Sequence, residues 1–288
     1  MYAIEKTVIT IICENTTFRS DVLGDSGLSI LIEALFDNRS SVKILFDACE
    51  NPEVFERNVN ALKLDLSDVD AVVISHGHHD HTGGLLKALE IIGKRVPVVL
   101  HPDALLPKFA LKDRIRYTGI PFDVSELKKR SILLFSKNPL KIASGITVLG
   151  EIPRTTNYEK VEDYYILRGD NLVEDPMYDD QALVIEMSDG TIGIITGCSH
   201  SGIINILRYA MEITGKREIK FVIGGFHLIN ANEERINKTW EDLKQINPQY
   251  ISPMHCSGPY IVAKVLSESP EKYLMLHAGH SITFTSTK

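Results

Sequence analysis

The segment Ser75-His76-Gly77-His78-His79-Asp80-His81-Thr82-Gly83-Gly84 places four imidazoles and one carboxylate within six consecutive positions. Borderline-soft divalent metals prefer neutral imidazole and carboxylate donors, and a loop this dense in both can share an ion. Gly77, Gly83 and Gly84 are expected to let the backbone turn sharply and approach the ions. The bland alternative is a solvated polar loop, but isolated core histidines do not arrive four to a turn. The segment follows a short apolar run, Ala71–Ile74, and leads into a helical pattern over Gly83–Ile92. It therefore sits at the carboxyl end of a strand, where ligands of α/β folds gather.

Three later segments repeat the theme of a strand followed by a histidine. Gly193–Thr196 runs into Gly197-Cys198-Ser199-His200-Ser201-Gly202, Phe221–Ile223 into Gly224-Gly225-Phe226-His227-Leu228, and Tyr250–Ser252 into Pro253-Met254-His255-Cys256-Ser257-Gly258. A lone strand-end histidine is more often structural, so His227 is read either that way or as a substrate contact. His101, His277 and His280 have weaker claims, with His280 a candidate to reach the site from the C-terminal side. The four cysteines are too few and too scattered for a disulfide framework or a Cys-x-x-Cys zinc site. Cys13 and Cys49 read as free thiols. Arg154 is either a surface arginine or a phosphate ligand.

These loops need a scaffold. The 288 residues, 44% hydrophobic and 24% charged, suit one large domain or one domain with an insertion. A formal net charge of −7 argues against a nucleic-acid partner. With no apolar run of about 18 residues a membrane span is not expected, nor a signal peptide, and the expectation is a cytoplasmic protein acting on a small molecule. Strand patterns fall at Val8–Cys13, in the hairpin Leu28–Phe36 and Val42–Phe46, and at Val98–Leu100. Ala182–Met187 and Thr191–Thr196 form a second hairpin, because Asp189-Gly190 supplies a tight turn. Helical patterns cover Val54–Leu64, Ile203–Thr214, Glu233–Gln245 and Pro259–Glu268. Strands in two batches with helices outside predict an α/β fold, a four-layer αββα sandwich. Residues 1–102 and 181–288 are assigned to its core. Residues 103–180, where the pattern loosens into short strand-like runs, are read as an inserted cap or small α+β subdomain that shapes substrate entry or pairs two chains into a homodimer.

The pattern H-x-H-x-D-H, carried by His76, His78, Asp80 and His81, resembles the metal signature of the metallo-β-lactamase superfamily. The resemblance implies two divalent ions, zinc first, with manganese, iron or magnesium as alternatives. It implies His76, His78 and His200 on one ion, and Asp80, His81 and His255 on the other. His79 occupies a variable position. The superfamily's usual bridging aspartate has no counterpart here. Cys198 stands in its place, either as a bridging ligand or as a small buried residue. A dinuclear centre of this kind lowers the pKa of bound water toward about 7, or clamps a leaving group.

Gly27-Leu28-Ser29, Leu45-Phe46-Asp47, Gly150-Glu151-Ile152-Pro153-Arg154, Asp180-Gln181-Ala182-Leu183 and the three later histidine segments together resemble one subgroup, the 7,8-dihydropterin-6-yl-methyl-4-(β-D-ribofuranosyl)aminobenzene 5′-phosphate synthases. That resemblance implies a metal-dependent condensation of a dihydropterin diphosphate with an arylamine. Asp80 and His227 are then the catalytic candidates, His227 because imidazole exchanges a proton near working pH. Arg154, Phe226 and His227 are the substrate-binding candidates, with Phe226, Tyr158 and Tyr260 offered as stacking faces for the pterin. The alternatives are a phosphodiesterase or lactonase-type hydrolase and, outside catalysis, a metal-binding sensor with a degenerate site.

Overall fold

The computed structural model describes residues 2–160 and 163–287. The chain begins with β1 (Ile4–Cys13), β2 (Ser29–Phe36), β3 (Ser41–Phe46), α1 (Pro52–Ala61), β4 (Ala71–Val73), α2 (His79–Thr82), α3 (Leu85–Ile92) and β5 (Pro97–Leu100). It continues through β6 (Lys108–Leu111), β7 (Ile115–Tyr117), α4 (Val124–Arg130), β8 (Ile132–Phe135), β9 (Leu140–Ala143), β10 (Ile146–Val148), β11 (Tyr164–Arg168) and β12 (Asn171–Glu174). The last third holds β13 (Ala182–Glu186), β14 (Ile192–Thr196), α5 (Ile203–Thr214), β15 (Ile219–Gly225), α6 (Glu233–Ile246), β16 (Tyr250–Met254), α7 (Pro259–Glu268) and β17 (Ser281–Thr285).

Two large sheets carry the fold. The first has seven strands in the order β17-β1-β2-β3-β4-β5-β8, and the second six in the order β16-β15-β14-β13-β10-β9. Alternating side chains along each strand point to opposite faces, and the apolar residues divide accordingly. Ile30, Ile32, Ile44 and Phe46 of the first sheet meet Leu183, Ile185, Ile195, Phe221 and Ile223 of the second in the central core. Their neighbours Leu31, Leu45, Val72 and Val98 face outward onto Phe55 and Val59 of α1, Leu85 and Leu89 of α3 and Leu127 of α4. On the far side, Val184, Ile194 and Val222 pack under Ile203, Leu207, Trp240 and Ile261 of α5, α6 and α7. Three apolar interfaces make four layers, helix–sheet–sheet–helix. Asn51 caps α1, accepting from the Glu53 and Val54 amides with Pro52 in the first turn, as the sequence pattern requires.

The stretch 103–180 is divided among three sheets rather than set apart as one body. β8 adds in parallel to β5 at the edge of the first sheet, and the β9–β10 pair joins the second sheet through β13. Only β6, β7, β11 and β12 form a separate four-stranded antiparallel sheet, in the order β12-β11-β6-β7. The expected insertion boundaries therefore do not follow the sheets. Partners such as β5 and β8 lie more than thirty residues apart, and short apolar runs do not announce so distant a partner. β17 was not expected either. It closes an edge by pairing with β1, Ile9 opposite Ile282. No helix among the described residues is long and apolar enough to cross a membrane.

Candidate metal centre

Every histidine loop singled out above leaves the carboxyl end of a strand, β4, β14, β15 or β16, and β14, β15 and β16 run parallel. β3 is parallel to β4 and delivers Asp47 to the same rim, while β1 delivers Glu14 and Asn15. Four side chains at the rim are aimed by left-handed backbone: Asp47 (φ 56°), Ser199 (60°), His227 (48°) and His255 (52°). Non-glycine residues adopt this region at a cost, and such strain concentrates at functional sites.

His76, His78 and His200 converge, with ring centroids 4.6 Å apart for the first pair and 4.9 Å from each to His200. Ser75 Oγ donates to Asp47 Oδ2 at 2.7 Å, so its 2.9 Å contact with His76 Nδ1 requires the imidazole N–H to donate. That fixes a bare lone pair on His76 Nε2, 3.0 Å from His78 Nδ1. Burial and neighbouring imidazoles hold His76 and His200 well below the ordinary histidine range, and burial takes His78 down to about 3. These three are neutral bases. His78 Nε2 and both ring nitrogens of His200 are buried without a hydrogen-bond partner among the described residues. Leaving such groups unpaired costs about 1–3 kcal/mol each, and a divalent cation fits a donor set of this kind.

The second set has the opposite electrostatics. Asp80, His81, Cys198 and His255 bring four donor atoms within 4.8 Å of one another. Burial opposes charge on Asp80, but His81, His255 and His78 outweigh it and hold the carboxyl well below the usual range. Burial likewise opposes charge on His81, yet Asp80 and Asp47 raise it to about 9. Asp47, fully buried, accepts from His81 Nδ1 at 2.6 Å, which turns Nε2 toward the other donors. Asn15 Oδ1 does the same for His255, taking Nδ1 at 2.8 Å, while Glu14 Oε1 accepts the His255 amide at 2.9 Å. Such outer partners orient metal-ligating imidazoles. Cys198 Sγ lies 3.2 Å from His81 Nε2 and also groups with His76 and His200.

A short run from Asp175 to Gln181 fastens both histidine loops. Asp179 Oδ2 accepts the Gly77 amide at 2.8 Å, Asp180 Oδ2 accepts the Ser201 amide at 2.9 Å, and Gln181 donates from its backbone to Ser75 and from its side chain to Ile74. Asp179 is paired in turn with Lys108 of β6 at 2.8 Å, and Lys108 also meets Asp175 at 2.5 Å. All three side chains are buried, so this ion triad ties the small sheet to the backbone between His76 and His78. Gly77 and Gly83 serve close packing rather than a turn. A Cβ on Gly77 would lie 2.1 Å from the Ala104 carbonyl oxygen, and one on Gly83 1.9 Å from that of Glu50.

The sequence profile of the metallo-beta-lactamase superfamily matches residues 22–203. The chain belongs to that superfamily. It is 34% identical over 276 residues to the Methanocaldococcus jannaschii 7,8-dihydropterin-6-methyl-4-(beta-D-ribofuranosyl)-aminobenzene-5′-phosphate synthase, covering 93% of this chain and 92% of that one. It is 36% identical over 256 residues to an uncharacterized protein of the same organism, covering 87% and 91%. Among solved structures it is similar to a metal-dependent hydrolase of the beta-lactamase superfamily, with a TM-score of 0.82, 28% identity and coverage of 97% and 99%.

Within this metallo-beta-lactamase frame, His76, His78, Asp80, His81, His200 and His255 all reach one rim. His79 turns away to Glu50, 3.3 Å distant. His101 bonds Glu151 at 3.0 Å, and His277 and His280 bond each other's segment and Thr16, so these three stand outside the donor groups found among the described residues. His227 packs 4.1 Å from His200, centroid to centroid, and lines a cavity of about 680 Å³.

One substrate candidate is corrected. Phe226 is fully buried in the outer core, because it shares the parity of Val222 along β15 and so faces the helices. Arg154 donates to the carbonyls of Pro176 and Met177, at 2.8 and 3.0 Å, and lines a second cavity that shares Asn157, Lys160, Asp163 and Tyr164 with the first. Of the other aromatic candidates, Tyr260 is 67% exposed on α7, whereas Tyr158 lines the cavity with its hydroxyl on Asp242. The aromatic residue missed in the sequence is Tyr164 of β11, whose ring lies 5.0 Å from His78, 5.1 Å from His200 and 6.2 Å from His227. Its only sequence signal was a place in a strand-like run. Asp47, Asn15 and Glu14 were likewise unseen as supports.

Proposed function

We propose that this chain is a metal-dependent synthase that condenses a dihydropterin diphosphate with a phosphorylated arylamine and releases pyrophosphate. The observation that carries the reading is the similarity to the synthase named above, which runs through more than nine-tenths of both chains. In this reading His76, His78 and His200 would hold one divalent ion, zinc first, and Asp80, His81 and His255 a second, with Cys198 within reach of both sets. Once bound, the ions supply Lewis-acid charge against the diphosphate. The amine nitrogen forms the new bond to the pterin methylene carbon as the carbon–oxygen bond to diphosphate breaks, and the amine gives up a proton. His227, in the wall between the donor sets and the cavity, is placed to exchange that proton with the departing oxygen. Tyr164 offers the flat face that the pterin ring requires. Asp47 and Asn15 hold His81 and His255 in one ring orientation throughout. The small sheet that carries Tyr164 shapes substrate entry.

The second reading, hydrolysis of a phosphoester or lactone, is favoured by the similarity to a metal-dependent hydrolase and needs no arylamine site. A sensor with a degenerate site fits poorly, since both donor sets are complete. The test is to incubate metal-loaded protein with the dihydropterin diphosphate, with and without the arylamine. Arylamine-dependent pyrophosphate release is expected. Release indifferent to the arylamine, or turnover of simple esters alone, makes the protein a hydrolase.

A further inference from the structure

The cavity that His227 and Tyr164 open onto is not electrically neutral. Among the described residues its outer wall carries Lys112, Lys160, Arg235 and Lys238 against the carboxylates of Asp163 and Glu234, four cations to two anions, in a chain whose net charge is −7. Lys238 is already committed to Glu234 at 2.6 Å. The Arg235 guanidinium donates to the Lys160 carbonyl at 3.1 Å, which draws the α6 end of the wall to the loop before β11. Lys112 and Lys160 have no carboxylate partner among the described residues. The four cations line the cavity on the side of residues 230–238 and the loop before β11, whereas His227 and Tyr164 line it beside the donor sets.

We infer that this wall is a separate subsite for a phosphomonoester carried at the end of the substrate remote from the reacting centre. The Lys112 and Lys160 ammonium groups together match a phosphate dianion. Lysine ammoniums on flexible stems with one guanidinium nearby are the side chains that hold such a group. A cavity of about 680 Å³ has the size of small-molecule sites. With its inner end at His227 and Tyr164, it spans from the donor sets to the cationic wall. The inference deepens the synthase reading and rests on it for the identity of the ligand. It does not rest on it for the chemistry of the wall.

The test measures binding of 4-(β-D-ribofuranosyl)aminobenzene 5′-phosphate and of its dephosphorylated form by calorimetry. It uses zinc-loaded and chelator-stripped protein, wild type and the double variant Lys112→Ala/Lys160→Ala. Both lysines are on the surface and outside the core, and circular dichroism with metal analysis confirms that the variant is folded and loaded. The phosphorylated ligand is expected to bind at least tenfold more tightly than the dephosphorylated one, with or without zinc, and the double variant to erase that preference at unchanged zinc content. A preference that vanishes on zinc removal places the phosphate at the metals and overturns the subsite. So does a preference that survives the double variant. If the arylamine compounds do not bind but ribose 5-phosphate binds in a lysine-dependent way, the subsite stands and the synthase reading falls.

Discussion

The two donor sets share one rim and are built on opposite electrostatic plans. His76, His78 and His200 are neutral, desolvated and held by the protein backbone through Asp179 and Asp180. Asp80, His81 and His255 form a charged cluster in the metal-free protein, with Asp47, Glu14 and Asn15 as outer supports. The first set presents lone pairs and has little to give up when an ion arrives. The second has to surrender a proton from His81. The two sets thus differ in the protonation state they offer to an ion although both are built on imidazole.

The largest effect should come from removing the anionic donor. Asp80→Asn is expected to abolish binding at the second set and leave the first occupied, so elemental analysis should fall from two ions per chain to one. Activity should drop by more than the roughly 100-fold that loss of a supporting partner costs. Equal loss of both ions would break the distinction between the sets. Next comes Lys108→Met, which strands Asp175 and Asp179 as buried, unpaired carboxylates. It should cost about 3–5 kcal/mol of stability in denaturant titration, and it should weaken the histidine-only set more than the charged one, because Gly77 loses its anchor. Asp47→Asn should lower affinity at the second set by about 10–100-fold, readable by competition with a zinc chelator.

The remaining effect is the dependence on pH. Below about pH 9 each ion entering the second set displaces a proton from His81, so its affinity should fall by roughly tenfold per pH unit. Affinity at the first set should stay nearly flat from pH 8 to 6. Stability of the metal-free protein follows the same division. His81, raised above its unfolded value of 6.5, stabilises fully below pH 6.5, and that contribution is lost as pH rises through about 9. His78, depressed to about 3, contributes above pH 6.5 and loses its contribution as pH falls toward 3. Parallel metal-affinity curves for the two sets between pH 6 and 8 would remove the electrostatic contrast.

Much of this was legible in the sequence, for local reasons. The hairpin across Asp189-Gly190 and the helices Ile203–Thr214 and Pro259–Glu268 fall where turn chemistry and apolar spacing put them. The histidine loops are legible because each follows its strand directly. What was not legible depends on partners distant in the chain. Asp47 meets His81 because β3 and β4 are neighbours, Asn15 meets His255 across 240 positions, and Tyr164 reaches His78 from a separate sheet. Phe226 follows β15 with the parity of Val222, which commits it to the helix-facing core, and its Gly-Gly-Phe-His motif does not reveal that parity.

The support of His255 has a consequence for the order in which the molecule is completed. Glu14 and Asn15 lie just beyond β1, and the edge of β1 is closed by β17, with Ile11 and Thr16 bonded to the segment around Ala278–His280. A ribosome that has released His200 has already delivered every imidazole of the neutral set. The charged set still lacks His255, and its outer supports still lack the strand that secures them. Vectorial synthesis therefore delivers all three imidazoles of the neutral set before His255 of the charged one and before the strand that pairs with β1.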